Sequence, residues 1–377
     1  MNYFEYFLYS LLFLFHKYFD WNITDYFLNK YENKMIQKYV SKKEIESIHI
    51  PTIDAEELTD LKFKKISNNY RNPVLIKGYL KNSYAIQKWT PEYLREIIGD
   101  FNINVLDKDK KVMVQRCAFH DFIETMKSKN IYINNNHTIL TNFPQLFNDI
   151  KIQFNNFLNT LTSTNLRNIH IANLFIGYNK KNTVSGSNMH CGGSGNFFCM
   201  IKGKKHWTLM DPKYSCFLKG RVAESGIHAQ TLFDMPDTDL SSYPKMFKHL
   251  PRYDVTLEPG DILWNAPWWW HRIENTNQEG INIGMAIRNN KVTKLNFQNN
   301  FTYTMSGYTY LLYNTIFISI YEKLLLRKDK HFNIGDEQNK SNVLYQIEKL
   351  IKKYPKTILY SEIINKETNV STHPKNE

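Results

Sequence analysis

The chain has 377 residues, 42% hydrophobic and 22% charged, a globular composition long enough for one large β domain with helical additions at either end. Its net charge of +12 raises the question of nucleic acid, but the lysines are scattered in short runs such as 108–111 and 352–353, so the charge describes a solvated surface and a nucleic-acid partner is not supported. The four cysteines, Cys117, Cys191, Cys199 and Cys216, form neither a CxxC pair nor a zinc spacing and point to reduced thiols in an intracellular protein.

An N-terminal apolar and aromatic segment, residues 1–48, is expected to be helical, and residues 6–15 read YFLYSLLFLF without a charge. A spanning helix needs about 20 apolar residues, and a signal peptide needs a basic start and a small-residue cleavage site; this run has neither. Two readings stand: a helix packed on the domain that follows, or an interfacial helix making membrane contact through its aromatics. The expected location is accordingly cytoplasmic or membrane-associated.

The main domain is expected over 49–290. Within it, residues 90–98 read as a helix with Thr90 as N-cap, Pro91 at its first position and Gly99 closing it, and 119–126 as a second short helix. From residue 173 the pattern turns strand-like, with apolar runs at 174–176, 197–201, 207–210, 255–257, 262–264 and 281–287, parted by turns such as Glu258-Pro259-Gly260-Asp261. Many short strands with polar turns predict a sandwich or barrel. Residues 291–365 read as a C-terminal helical region whose uncharged stretch 308–321 suits buried packing or a homodimer contact, and 366–377 as a loose polar tail.

Two blocks carry chemistry. The first, residues 190–206, reads HCGGSGNFFCMIKGKKH; the second, 257–275, reads LEPGDILWNAPWWWHRIEN. In this order they resemble the JmjC, cupin-like family of Fe(II)- and 2-oxoglutarate-dependent oxygenases, over roughly residues 51–288. The resemblance implies a mainly β fold, a double-stranded β-helix or jelly roll, with helical additions at both ends. It also implies oxidative decarboxylation of 2-oxoglutarate to succinate and CO₂ coupled to hydroxylation of a protein side chain, so a protein or peptide substrate.

Residue by residue, His190 and His271 match the family's two imidazole ligands for Fe(II), and Lys205 matches the lysine that anchors the distal carboxylate of 2-oxoglutarate. Ser187, Tyr132 and Asn196 fall where the family places further polar contacts to the co-substrate. Asp261 reads as a turn acid, and Trp268, Trp269 and Trp270 as wall and core residues.

The departure is Gly192. The family writes its first histidine and its carboxylate as H-x-D or H-x-E, and here the third position carries no side chain. Three outcomes are open: water or an anion such as chloride fills the vacancy; another protein group reaches in, with Cys191 and Glu274 the nearest candidates; or the chain is a catalytically lapsed binding module, with membrane association through residues 6–15 as one form of it. Strand alternation turns Cys191 to the opposite face, and the run Gly192-Gly193-Ser194-Gly195 predicts a flexible segment.

Overall fold

A computed structural model describes residues 1–19, 22–107, 113–129, 131–150, 169–181, 185–222, 228–234, 245–276, 279–289, 294–312 and 358–359. Two helices open the chain, α1 (Tyr3–Phe19) and α2 (Asn22–Tyr39). Sixteen strands follow: β1 (Thr52–Asp54), β2 (Val74–Lys77), β3 (Asn102–Asp107), β4 (Met113–Ala118), β5 (Ile131–Asn136), β6 (Ile169–Asn179), β7 (Gly186–Gly192), β8 (Gly195–Lys202), β9 (Lys205–Met210), β10 (Gly220–Val222), β11 (His228–Thr231), β12 (Tyr253–Leu257), β13 (Ile262–Asn265), β14 (Trp270–Asn275), β15 (Gly280–Asn289) and β16 (Ile358–Leu359). They form a jelly roll. The larger sheet runs β1-β2-β13-β8-β15-β6-β5-β3-β4 with β16 beside β6, and the smaller runs β10-β11-β7-β14-β9-β12.

The local rules explain these elements. Every apolar run read as a strand from residue 173 onward lies within one, because alternation or full burial suits a sheet packed on one or both faces. Helix Pro91–Ile98 starts where Thr90 Oγ accepts the Tyr93 N–H at 3.2 Å and ends at Gly99, whose φ of 53° is left-handed. Asp261 serves the turn: its carboxylate accepts from Gly78 N at 3.0 Å, Lys77 Nζ at 3.0 Å and Glu258 N at 3.1 Å, tying β13 to β2.

One core fills the space between the sheets and extends to the helices packed on the larger one, with Trp89, Phe119, Phe198, Trp207, Leu209 and Trp264 among its members. A second core lies on the other side of the smaller sheet. There Met189, Cys191, Met210 and Trp270 meet Tyr9 and Phe13 of α1, Leu28 and Met35 of α2, and Tyr303. Of the two readings for the N-terminal run, packing on the domain is therefore found: Ser10 Oγ and Thr302 Oγ share a hydrogen bond of 2.6 Å, and Arg221 of β10 holds the buried Glu32 of α2 by two contacts of 2.8 and 3.0 Å.

Helix α1 has a second apolar face, however. Phe4, Phe7 and Phe15 are 72%, 63% and 48% exposed, so the run is amphipathic in neither sense and only half of it is used by the core. Among the described residues no helix is long and apolar enough to cross a membrane.

In the C-terminal region, helices Lys294–Asn299 and Phe301–Leu312 are followed by the short strand β16. The buried face of Phe301–Leu312, with Thr302, Tyr303 and Ser306, packs within the chain. The remainder of 308–321 and the tail 366–377 lie outside the described residues.

Candidate metal centre

Strands β7 and β14 run antiparallel with His190 and His271 as direct partners, so both imidazoles leave the same face of the smaller sheet, toward the space between the sheets. Their ring centroids are 4.2 Å apart. Trp207, on the adjoining strand β9, stacks on His271 with centroids 5.5 Å apart and planes 25° from parallel, which fixes that ring.

Each imidazole is oriented from behind. His190 Nδ1 lies 2.7 Å from the carbonyl of Asn188, and His271 Nδ1 lies 2.9 Å from the carbonyl of Trp269. A carbonyl can only accept, so the proton belongs on Nδ1 in both rings and the Nε2 lone pairs are left for a ligand. Burial pushes the His190 pKa down to about 4, and burial followed by the charge of His190 holds that of His271 well below the usual histidine range. Both rings are neutral at pH 7, the form that binds a metal.

Ser187 reaches the same face by an irregularity. Between the pairs His271–His190 and Ile273–Ser187, Asn188 and Met189 together stand opposite Arg272, a β-bulge that turns Ser187 inward with His190 although simple alternation would part them. Among the described residues its Oγ is buried without a partner. On β8, Asn196 stands between Asn265 of β13 and Arg288 of β15, and the side-chain oxygens of both asparagines are likewise buried and, among the described residues, unpaired.

Lys205 begins β9 on the same face as Trp207 and donates to Asn275 Oδ1 at 2.5 Å, while Asn275 in turn donates to Ser185 Oγ at 2.8 Å. Tyr132 lies on β5 opposite Gly177, half-buried, with its phenol pKa raised by burial. The paired imidazoles, the inward lysine and the Ser187 hydroxyl are the groups here that could hold a metal and a dicarboxylate, whereas the amide oxygens of Asn196 and Asn265 can only accept.

Neither candidate for the missing carboxylate's place reaches in. Cys191 is fully buried in the second core, and Glu274 pairs with Arg272 Nε at 2.9 Å on that same outer side. Among the described residues no group of three His, Cys, Asp or Glu side chains is gathered for a metal. The glycine run is also more constrained than its composition predicts: Trp268 takes a left-handed φ of 64° and donates its N–H to Gly192 O at 2.7 Å, and a Cβ on Gly195 would stand 2.5 Å from Trp264. Its glycines at 193 and 195 permit close approach of tryptophans, so the expected flexibility is replaced by packing.

Sequence reasoning missed two residues. Arg288 ends the inward row of β15; its guanidinium donates to Asn135 Oδ1, lies 5.9 Å over the Phe175 ring, and has its pKa pushed down to about 10 by burial. No carboxylate pairs with it among the described residues, and its charge adds to the depression of both histidines. The other is His228, the strand partner of Gly192. Only register reveals either position.

A profile of the cupin-like domain matches residues 60–303. The chain belongs to the cupin-like, JmjC family. It is similar to JmjC domain-containing protein A of Dictyostelium discoideum, at 25% identity over 59% of this chain and 90% of that protein, and to protein D of the same organism, at 26% over 55% and 50%. A shorter match, 34% identical over 24% of this chain and 26% of the relative, is to the mouse tRNA wybutosine-synthesizing protein 5. The family is one of 2-oxoglutarate oxygenases, generally hydroxylases and demethylases, which supports an enzyme in the coarse sense.

Proposed function

We propose that the protein is an Fe(II)- and 2-oxoglutarate-dependent oxygenase that hydroxylates a side chain of a protein or peptide. The observation that carries the reading is the register-matched pair His190–His271, neutral, aimed inward and backed by carbonyls, on the face that also bears Lys205. Bound iron would supply oxygen activation, with 2-oxoglutarate as the source of electrons.

The chain's own residues bind and orient. His190 and His271 hold the metal through Nε2. Lys205, relayed by Asn275, places an ammonium for the distal carboxylate, and Ser187, Tyr132 and Asn196 offer polar atoms along the same interior. Trp207 and Phe198, in edge contact at 5.0 Å, wall the interior and exclude water from it. The rival reading, a lapsed binding module, is favoured by Gly192; the exposed phenylalanines of α1 would then be its contact surface, toward a membrane or a partner.

Lys205 separates these cases at the level of the co-substrate. Lys205→Met is expected to raise the 2-oxoglutarate dissociation constant at least about tenfold by calorimetry, because a carboxylate left buried without its charge-assisted donor costs roughly 2 kcal/mol or more. Unchanged binding would remove Lys205 from the site.

A further inference from the structure

We infer that His228 completes the centre that Gly192 leaves short, so that the metal is held by three imidazoles, His190, His228 and His271. The inference rests on the reading that His190 and His271 are metal ligands. It starts from register: β11 pairs antiparallel with β7, with His228 opposite Gly192 and Gln230 opposite His190. Residues directly opposite across such a pair send their side chains to the same face. The position at which the family places a carboxylate and this chain has none is thus matched, one strand over, by a metal-ligating side chain on the same inner face.

The ring lies beside the site without yet joining it, since among the described residues the three imidazoles are not gathered about one point. Its centroid lies 6.2 Å from that of His190, against 4.2 Å between His190 and His271. Closing that gap by a turn of the side chain is within reach of an imidazole, whose two rotatable bonds carry its nitrogens further from the backbone than an aspartate carboxylate extends. What restrains the ring is weak: its one polar contact among the described residues is the Gln230 amide at 3.5 Å, and no carboxylate holds it. Burial lowers the pKa of the imidazole from the ordinary histidine value.

Three neutral ligands change the chemistry of the centre as well as its count. Imidazole suits iron, zinc, copper and nickel alike, and three histidines leave positions free for a bidentate co-substrate and a further ligand. Without the carboxylate's charge the metal site is more positive by one unit, and Arg288 adds another cation beside it. Such a site favours dianionic co-substrates.

The test is anaerobic Co(II) titration of the full chain against a competing chelator, read by affinity and by the visible absorption of the bound ion, with native protein, His228→Ala, and His228→Ala combined with Gly192→Asp. We expect His228→Ala to weaken Co(II) binding at least about tenfold and to alter the absorption, and Gly192→Asp in that background to restore affinity by returning a third donor. Native binding that His228→Ala leaves unchanged in affinity and absorption would overturn the third ligand while leaving the two-histidine reading intact. A loss that Gly192→Asp does not reverse would mark a folding role for His228 and also overturn it. Absence of Co(II) binding by the native protein would overturn both.

Discussion

Replacing His271 with alanine is expected to lower the protein's affinity for Co(II) or Fe(II) at least about 100-fold, since loss of a direct ligand exceeds the effect of losing the groups that orient one. His271 is the better of the two histidines for this test, because it is fixed on two sides: Trp207 stacks on it, and the Trp269 carbonyl accepts from its Nδ1–H. Alanine removes the donor and leaves the stacking wall, so the fold has reason to persist. Retained affinity, measured anaerobically by chelator competition, would mean that the paired imidazoles are core residues and not ligands.

Arg221→Met should destabilise the protein by about 3–5 kcal/mol, the usual cost of stranding one member of a buried ion pair. Glu32 has no exposed surface, and burial raises its pKa against the lowering effect of Arg221, whose guanidinium meets both carboxylate oxygens. The sign with pH follows from linkage. Once Arg221 is gone, the folded-state pKa of Glu32 stands above its unfolded value, so the penalty shrinks as pH falls and grows as pH rises through the unfolded carboxylate range. Chemical denaturation at two pH values reads both effects, and a second change, Glu32→Leu, should recover much of the loss. A destabilisation below about 1 kcal/mol at neutral pH would show that α2 does not depend on the clamp.

The parts of this fold that sequence could reach are those written in local period. The β core from β6 to β15 follows from alternation and from turns such as the one closed by Asp261, and the two motif blocks singled out His190, His271 and Lys205, which lie on the adjacent strands β7, β14 and β9 of the smaller sheet. The double-sided N-terminal helix was harder. Tyr9 and Phe13 serve a core that only exists once β7, β9 and β14 have folded, whereas Phe4 and Phe7 on the same helix remain exposed, and one apolar run cannot show which half is used.

The candidate site was hidden for a related reason. That His228 faces Gly192 is a fact of register between strands 35 or more residues apart in the chain, with the intervening β8, β9 and β10 looping away. Ser187 shares the inner face of His190 only because a bulge displaces the alternation. The inward place of the Arg288 cation depends on β15 lying beside Asn196. Long-range pairing decides each of these, and pairing is not encoded in any single segment.

The central claim is that the inward histidines hold iron for 2-oxoglutarate chemistry despite Gly192. Its most direct test is succinate formation by the full chain after anaerobic reconstitution with Fe(II), supplied with 2-oxoglutarate and O₂ but no other substrate, beside His271→Ala treated identically. The account predicts stoichiometric iron binding and succinate release by the native protein well above the variant. Native protein that binds no iron, or releases succinate no faster than His271→Ala, would contradict it.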